Sequence, residues 1–156
     1  FLSYGRKQYS LTPLKLQKLL YLAQGWSYVW DHKAAFRDEF EAWQYGPVNE
    51  RVYEVFKKYG RSEIPRTEGS DSLEDFDVRE TLTAIWNDYG RMTAYDLVEL
   101  THHQQPWCNA YARGIRITVR PTLIRLQSCV RPRPDRAPTV IISTLRKISE
   151  NPMIRR

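Results

Sequence analysis

The sequence predicts a mainly α-helical protein, a compact bundle of about five or six helices with at most a small β element. Three observations predict it. Apolar residues recur at helical spacing in several segments, helix-capping residues precede those segments, and alternating strand patterns are weak. The chain has 156 residues, of which 42% are hydrophobic and 13% aromatic. This length and composition suit one domain with a packed core.

The first strong helix signal covers residues 13–30. Thr12 is a good N-cap and Pro13 suits the first helical position. Leucine and aromatic residues cover most of the circumference, which is typical of a central helix that is packed on several sides. Gln17 and Gln24 stand out on it as polar exceptions.

The second helix is expected from Val48 to Tyr59, because Gly-Pro is a turn signal and Pro47 can open a helix. A third is expected over 73–89, where apolar residues recur at helical spacing. Thr93 and Asp96 form a capping-box variant in front of a short fourth helix.

The remaining signals are shorter. Pro106 is expected to open a last helix that ends at Gly114, and residues 1–8 to be the end of a helix that starts upstream. Weak strand signals fall at 40–45, 115–119 and 139–142. Because the chain begins at Phe1 rather than Met, we also expect its N-terminus to be truncated.

The predicted core follows from the apolar faces of these helices. It comprises Leu16, Leu19, Leu20, Trp43, Val52, Phe56, Leu82, Ile85, Trp86, Leu97, Leu100 and Trp107.

Charge is distributed unevenly along the chain. The net charge is +6, but residues 1–113 hold 14 Lys and Arg against 16 Asp and Glu, whereas residues 114–156 hold 10 against 2. All 20 aromatic residues lie before residue 114, and five of the nine prolines follow it. We therefore predict a domain over 1–114 and an Arg/Pro-rich segment over 115–156.

The C-terminal segment has three interpretations. It could be a basic arm that grips nucleic acid through phosphates. It could be a small appended segment that packs on the domain through its aliphatic residues. It could also be a disordered or out-of-frame tail, because aromatic and nearly all acidic residues disappear where it begins.

Several function classes are disfavoured by what the sequence lacks. Two cysteines exclude a disulfide-rich scaffold and a cysteine-based zinc finger. No apolar run approaches the roughly 20 residues that span a bilayer, and the chain opens without a signal-peptide pattern. Walker-type, dinucleotide-binding and zinc-protease motifs are missing as well. We expect a cytoplasmic protein with no catalytic residues, cofactor or metal.

The residues that could carry chemistry favour ordinary roles. His102 and His103 are adjacent and cannot converge on one metal. Cys108 lies near His102 in the chain, but a cysteine nucleophile needs a base and an oxyanion donor placed in space. The acidic residues from Asp71 to Glu80 are typical of a solvated face, although they could also meet a basic partner.

Three motifs occur together in one order: Leu11-Thr-Pro-Leu-Lys-Leu-Gln-Lys-Leu-Leu-Tyr21, Glu41-Ala-Trp-Gln-Tyr-Gly-Pro-Val48, and Leu97 to Trp107, which contains Leu-Thr-His and Pro-Trp. With them, residues 1–114 resemble the SocA-like Panacea domain family, which includes phage-associated proteins of the GepA type. The resemblance implies a mostly helical antitoxin that neutralises a cognate protein toxin by protein–protein contact.

The residues expected at the toxin surface come from the second and third motifs. Aromatic residues are favoured as interface anchors, although the same residues could simply form a structural turn. The candidate partner-binding residues are Trp43, Tyr45, Gly46, Pro47, His102 and Trp107.

A DNA-binding regulator, or a phage-associated protein that uses its basic tail, is the alternative function. The tail and a helix–turn–helix-like stretch at 78–101 support it, and nucleic acid is expected only at the tail. However, Asp96 and Glu99 lie on the would-be recognition helix, where Lys and Arg are expected. The sequence leaves the oligomeric state open.

Overall fold

Helix α1 (Pro13–Asp31) is the element around which the others pack. The computed structural model describes residues 1–2, 9–68 and 73–117. Thr12 caps α1 by accepting a hydrogen bond from the Lys15 amide, and Pro13 stands in its first turn, as predicted. α1 contacts helices or strands on several sides, and Leu19 and Leu22 are fully buried.

A β-hairpin follows α1. Strand β1 (Phe40–Trp43) pairs antiparallel with β2 (Gly46–Val48), and β3 (Arg116–Ile117) pairs antiparallel with the other edge of β1. Phe40 lies opposite Ile117. Gly46 has φ of 93°, a conformation that glycine adopts without strain. The small β element is thus a three-stranded sheet.

Pro47 does not open a helix, so that prediction was wrong. It lies in β2, and helix α2 (Glu50–Phe56) begins three residues later. Asn49 is the true N-cap, because its side chain accepts a hydrogen bond from the Val52 amide. Strand pairing with β1 therefore decides the conformation at Pro47.

The later helices match the sequence signals closely. α3 (Phe76–Tyr89) is capped by Asp75 and α4 (Ala94–His102) by the predicted Thr93–Asp96 box. α5 (Gln105–Arg113) has Pro106 in its first turn and ends at Gly114. Short 3₁₀ turns cover Lys57–Tyr59 and Arg66–Glu68. The five α-helices of the described residues confirm the mainly α prediction.

The predicted core is partly correct. Leu16, Leu19, Ile85, Trp86 and Leu97 are buried. Val52 and Phe56 are only half-buried, because α2 buries none of its residues completely. The remaining predicted core residues are also half-buried: Leu20, Trp43, Leu82, Leu100 and Trp107.

Some predictions lie outside the described residues. These are most of the expected helix end at 1–8, part of the acidic segment at Asp71, the strand at 139–142, and the tail from residue 118 onward. The expected strand at 115–119 is seen as β3, in which Ile117 is buried.

Candidate partner-binding site

The structure brings the six candidate residues together at the β1–β2 hairpin and the junction of α4 with α5. The indole Nε1 of Trp107 donates a hydrogen bond to the Trp43 carbonyl oxygen, 3.2 Å away. This contact joins two segments that lie 64 residues apart in the sequence.

Three rings form a stack along α4 and α5. The His102 and Trp107 ring centroids are 4.0 Å apart, and those of Trp107 and Tyr111 are 4.7 Å apart. The interplanar angles are 14° and 17°. Tyr111, at the end of the stack, is 48% exposed. Sequence reasoning did not select Tyr111, although residues four apart on a helix are neighbours on its surface and Tyr111 follows Trp107 by four residues.

A second aromatic group lies on the hairpin. Trp43 packs edge-on against Tyr53, with centroids 4.9 Å apart, and its Nε1 donates to Glu41 Oε2 at 2.8 Å. Tyr45 lies in the turn between the strands and is 58% exposed. We define the aromatic surface as Trp43, Tyr45, Tyr53, Trp107 and Tyr111. Stacked or edge-on rings with exposed edges offer large, rigid contact area.

Gly46 and Pro47 lie beneath this surface and are buried. A Cβ at Gly46 would lie 3.0 Å from Lys18 Nζ and from Thr101 Oγ1. Lys18 Nζ donates to the Pro47 carbonyl oxygen at 2.9 Å. Gly46 and Pro47 therefore form the buried side of the turn, in contact with Lys18 and Thr101.

Three polar residues of α1 hold the hairpin in place. The side-chain amide of Gln17 donates to the Asn49 carbonyl and accepts from the Asn49 backbone amide. The side-chain amide of Gln24 likewise donates to the Phe36 carbonyl and accepts from the Phe36 backbone amide. Lys18 lies beside Gln17 and is completely buried. Sequence reasoning noticed the glutamines as exceptions but missed this role, because their partners are distant backbone groups.

The ionisable groups beneath the turn are desolvated. Burial lowers the pKa of Lys18 to about 7. Burial also lowers the pKa of His102, with the positive charge of Lys18 as a second cause. Both effects disfavour the charged imidazolium form of His102, whose ring stacks on that of Trp107.

An acidic pocket of about 160 Å³ lies beside the hairpin. Its ionisable lining comprises four carboxylates and one guanidinium, and the Arg51 guanidinium donates to Asp38 at 3.0 Å. No residue pattern indicated this pocket, because its residues come from the loop before β1, from β1 and from the start of α2. The carboxylates are Asp38, Glu39, Glu41 and Glu50.

The acidic residues that the sequence did single out have local partners. Asp75 caps α3, and Lys33 forms ion pairs with Asp75 and Asp77 at 3.4 and 2.9 Å. Both ion pairs are well exposed, so each contributes little to stability.

The geometry around Cys108 does not resemble a nucleophile–base pair. Its thiol donates to the backbone carbonyl of His102 at 2.9 Å rather than to the imidazole. In residues 1–2, 9–68 and 73–117 there is no cluster of three His, Cys, Asp or Glu residues that could hold a metal ion. Nor is any helix of those ranges long and apolar enough to span a membrane.

The fold defines a small, mainly α-helical protein with a three-stranded sheet, and the described face of its hairpin carries partly exposed aromatic rings beside carboxylates. Comparison with known families agrees. The family model described as "Antitoxin SocA-like, Panacea domain" matches residues 16–108, and the chain belongs to this family. The resemblance predicted from the three motifs is confirmed.

One curated relative extends this result. Antitoxin SocA of Caulobacter vibrioides (strain NA1000 / CB15N) is 34% identical over 109 residues, which cover 62% of this chain and 58% of that protein. The alignment thus spans less than two thirds of the relative's length. No solved structure matches the chain.

Proposed function

We propose that this protein is an antitoxin that neutralises a cognate protein toxin, encoded nearby, by direct binding and without catalysis. Membership of the SocA-like family and the name of the Caulobacter relative support this role. The proposal assigns the activity to a domain over residues 1–114 that works in the cytoplasm, where a toxin made by the same cell would be met.

The observation that carries the binding mechanism is the aromatic surface. Tyr45 and Tyr111 are about half exposed. Their segments are held together by the hydrogen bond from the Trp107 indole to the Trp43 carbonyl, and the Tyr111 ring stacks on Trp107. Rigid, partly exposed Tyr and Trp residues are the side chains most often found as interface anchors. Glu41, which lines the acidic pocket, bonds the Trp43 indole, and the carboxylates of that pocket would speed association with a basic toxin.

The described residues do not favour the alternative of a DNA-binding regulator. The exposed residues of α4 include Tyr95, Asp96 and Glu99. Carboxylates on a recognition helix would repel phosphates rather than bind them. The basic tail that motivated the alternative lies beyond residue 117.

Co-expression tests the proposal. The product of the adjacent gene is induced in a host with and without this protein, and growth is measured. We expect the adjacent product alone to arrest growth and the pair to grow and to co-purify. A harmless neighbour, or rescue without any complex, would contradict the proposal.

Point variants then test the surface. Tyr45→Ala and Tyr111→Ala should each weaken binding by about 2 kcal/mol, roughly 30-fold in Kd, if they are interface anchors. Tyr95→Ala is the matched control, because Tyr95 is 65% exposed on the first turn of α4, at the opposite end of that helix from His102. Equal Kd values for all three variants would place the toxin elsewhere on the domain.

A further inference from the structure

Lys18 is a buried lysine that the proposed binding role does not explain. It lies in the middle of α1 and its side chain is 0% exposed. Burying an ammonium group is costly unless a carboxylate or several acceptors compensate. Within the described ranges no carboxylate forms an ion pair with Lys18, and its Nζ donates to the Pro47 carbonyl oxygen at 2.9 Å.

The side chain fills the space directly under the hairpin turn. A Cβ on Gly46 would come within 3.0 Å of both Cε and Nζ of Lys18. The same Cβ would be 3.0 Å from Thr101 Oγ1, which belongs to α4. The turn can approach α1 and α4 this closely only because residue 46 has no side chain.

We infer that Lys18 is a positioning residue: its terminal nitrogen fixes the Gly46–Pro47 turn on α1 and α4, and this hold weakens when the nitrogen becomes protonated. We call Lys18, Gly46, Pro47 and Thr101 the hairpin latch. Trp43 and Tyr45 lie on the turn that the latch holds, so the latch sets how they are presented. Only this last consequence rests on the proposed toxin binding.

The direction of the effect follows from solvation. A neutral amine can still donate to the Pro47 carbonyl, and it carries no desolvated charge. A protonated Lys18 gains hydration when the turn opens, so protonation favours the open turn. Burial lowers the pKa of Lys18 to about 7 in the closed turn. In an open, hydrated turn it would return toward the ordinary value near 10.4.

Two titratable neighbours of the latch have pKa values that are shifted away from this range. Burial and the Lys18 charge hold the pKa of His102, on α4, below its usual range, and its neighbour His103 is exposed. Burial raises the pKa of Tyr21, one turn along α1. The Cys108 thiol, on α5, also lies near the latch and donates to the His102 carbonyl, so the loss of the pH dependence in Lys18→Met is what assigns the proton to Lys18.

Hydrogen exchange of the full chain measures the latch without any partner. The readout is the protection factor of backbone amides in the paired segments β1 and β2, between pH 7.5 and 9.5. Protection should rise about tenfold per pH unit, because the open turn binds one more proton than the closed one. Protection that does not change with pH would overturn the inference.

Two variants on α1 separate the latch from general stability. Lys18→Met keeps the volume and removes the proton, so its hairpin protection should lose the pH dependence. Lys15→Met is the matched control, because Lys15 is also buried on α1 but donates to the Gly90 carbonyl, away from the hairpin. An unchanged slope in Lys18→Met, or a lost slope in Lys15→Met, would overturn the inference.

Gly46→Ala tests the same contact with the lysine retained, in case Lys18→Met does not fold. The new methyl group crowds Nζ and also strains the backbone at a φ of 93°, so hairpin protection should fall at least tenfold at pH 8.5 while protection in α3 is kept. Equal protection in β1 and in α3 would contradict the latch. If exchange behaves as expected but no variant binds the adjacent gene product, the latch stands and the proposed function fails.

Discussion

Replacing Gln17 by leucine tests whether α1 holds the hairpin through polar contacts. Gln17 Nε2 donates to the Asn49 carbonyl at 3.1 Å, and its Oε1 accepts from the Asn49 amide at 2.7 Å. Both residues are buried, so water cannot replace the lost partners. The substitution leaves the buried Asn49 amide donor unpaired, at about 1–3 kcal/mol, whereas the Asn49 carbonyl keeps the hydrogen bond that it accepts from the Tyr53 amide.

The expected loss is therefore about 1–3 kcal/mol of unfolding free energy, partly offset by the apolar burial of leucine. This is a measurable share of the roughly 5–15 kcal/mol that stabilises a typical domain. Urea unfolding followed by tryptophan fluorescence measures it. Five tryptophans report on the transition.

Gln105→Leu provides the comparison, because Gln105 is exposed at the start of α5. This variant should change the unfolding free energy by less than about 0.5 kcal/mol. If Gln17→Leu cost no more than Gln105→Leu, the buried amide would not hold the hairpin, and the reasoning would be refuted.

Three further predictions concern single residues. Lys18 should make the unfolding free energy rise with pH between about 7 and 10, by about 1.4 kcal/mol per pH unit, because it binds its proton more weakly in the folded chain than in the unfolded one. The unfolding free energies of the natural chain and of Lys18→Met, measured by urea unfolding at several pH values, should differ by this slope, and parallel curves would refute the prediction. Thr93→Ala should cost about 1 kcal/mol, because Thr93 caps α4 and completes a capping box with Asp96; a melting temperature within 1 °C of the natural chain's would refute it. Lys33→Ala should cost under about 1 kcal/mol, because its ion pairs are exposed, and a larger loss in the same unfolding assay would contradict this assignment.

Local signals in the sequence predicted most of the helix boundaries. Thr12 and Pro13 at the start of α1, the Thr93 capping box and Gly114 at the end of α5 all act within four residues of the position they determine. Such interactions depend little on the rest of the fold, so the residue pattern is sufficient to predict them.

The hairpin could be predicted only in part, because its determinants are distant in sequence. A strand at 40–45 was expected, but Pro47 was assigned to a helix. The backbone at Pro47 is fixed by pairing with Ala42 and by the nitrogen of Lys18, 29 residues away. No pattern of neighbouring residues in the sequence predicts such a long-range contact.

The candidate site could likewise be predicted only where local residue patterns indicate it. Trp43, Tyr45 and Trp107 were selected as partner-binding residues because aromatic residues are favoured as interface anchors; the fold brings them close together, and their binding role stays a prediction. Gln17 and Lys18 were not, because helical periodicity counts polar residues as solvent-facing. Their burial depends on backbone groups that only the folded chain brings within hydrogen-bond distance.

The most direct test of the account is a titration of the purified full chain with the purified product of the adjacent gene, in 150 mM salt and at pH 8. The account predicts saturable binding with a fixed stoichiometry, loss of toxin activity in proportion to the complex formed, and binding at least tenfold weaker for Tyr45→Ala than for Tyr95→Ala. No heat of binding with an active toxin, or inhibition at catalytic amounts of this protein, would contradict it.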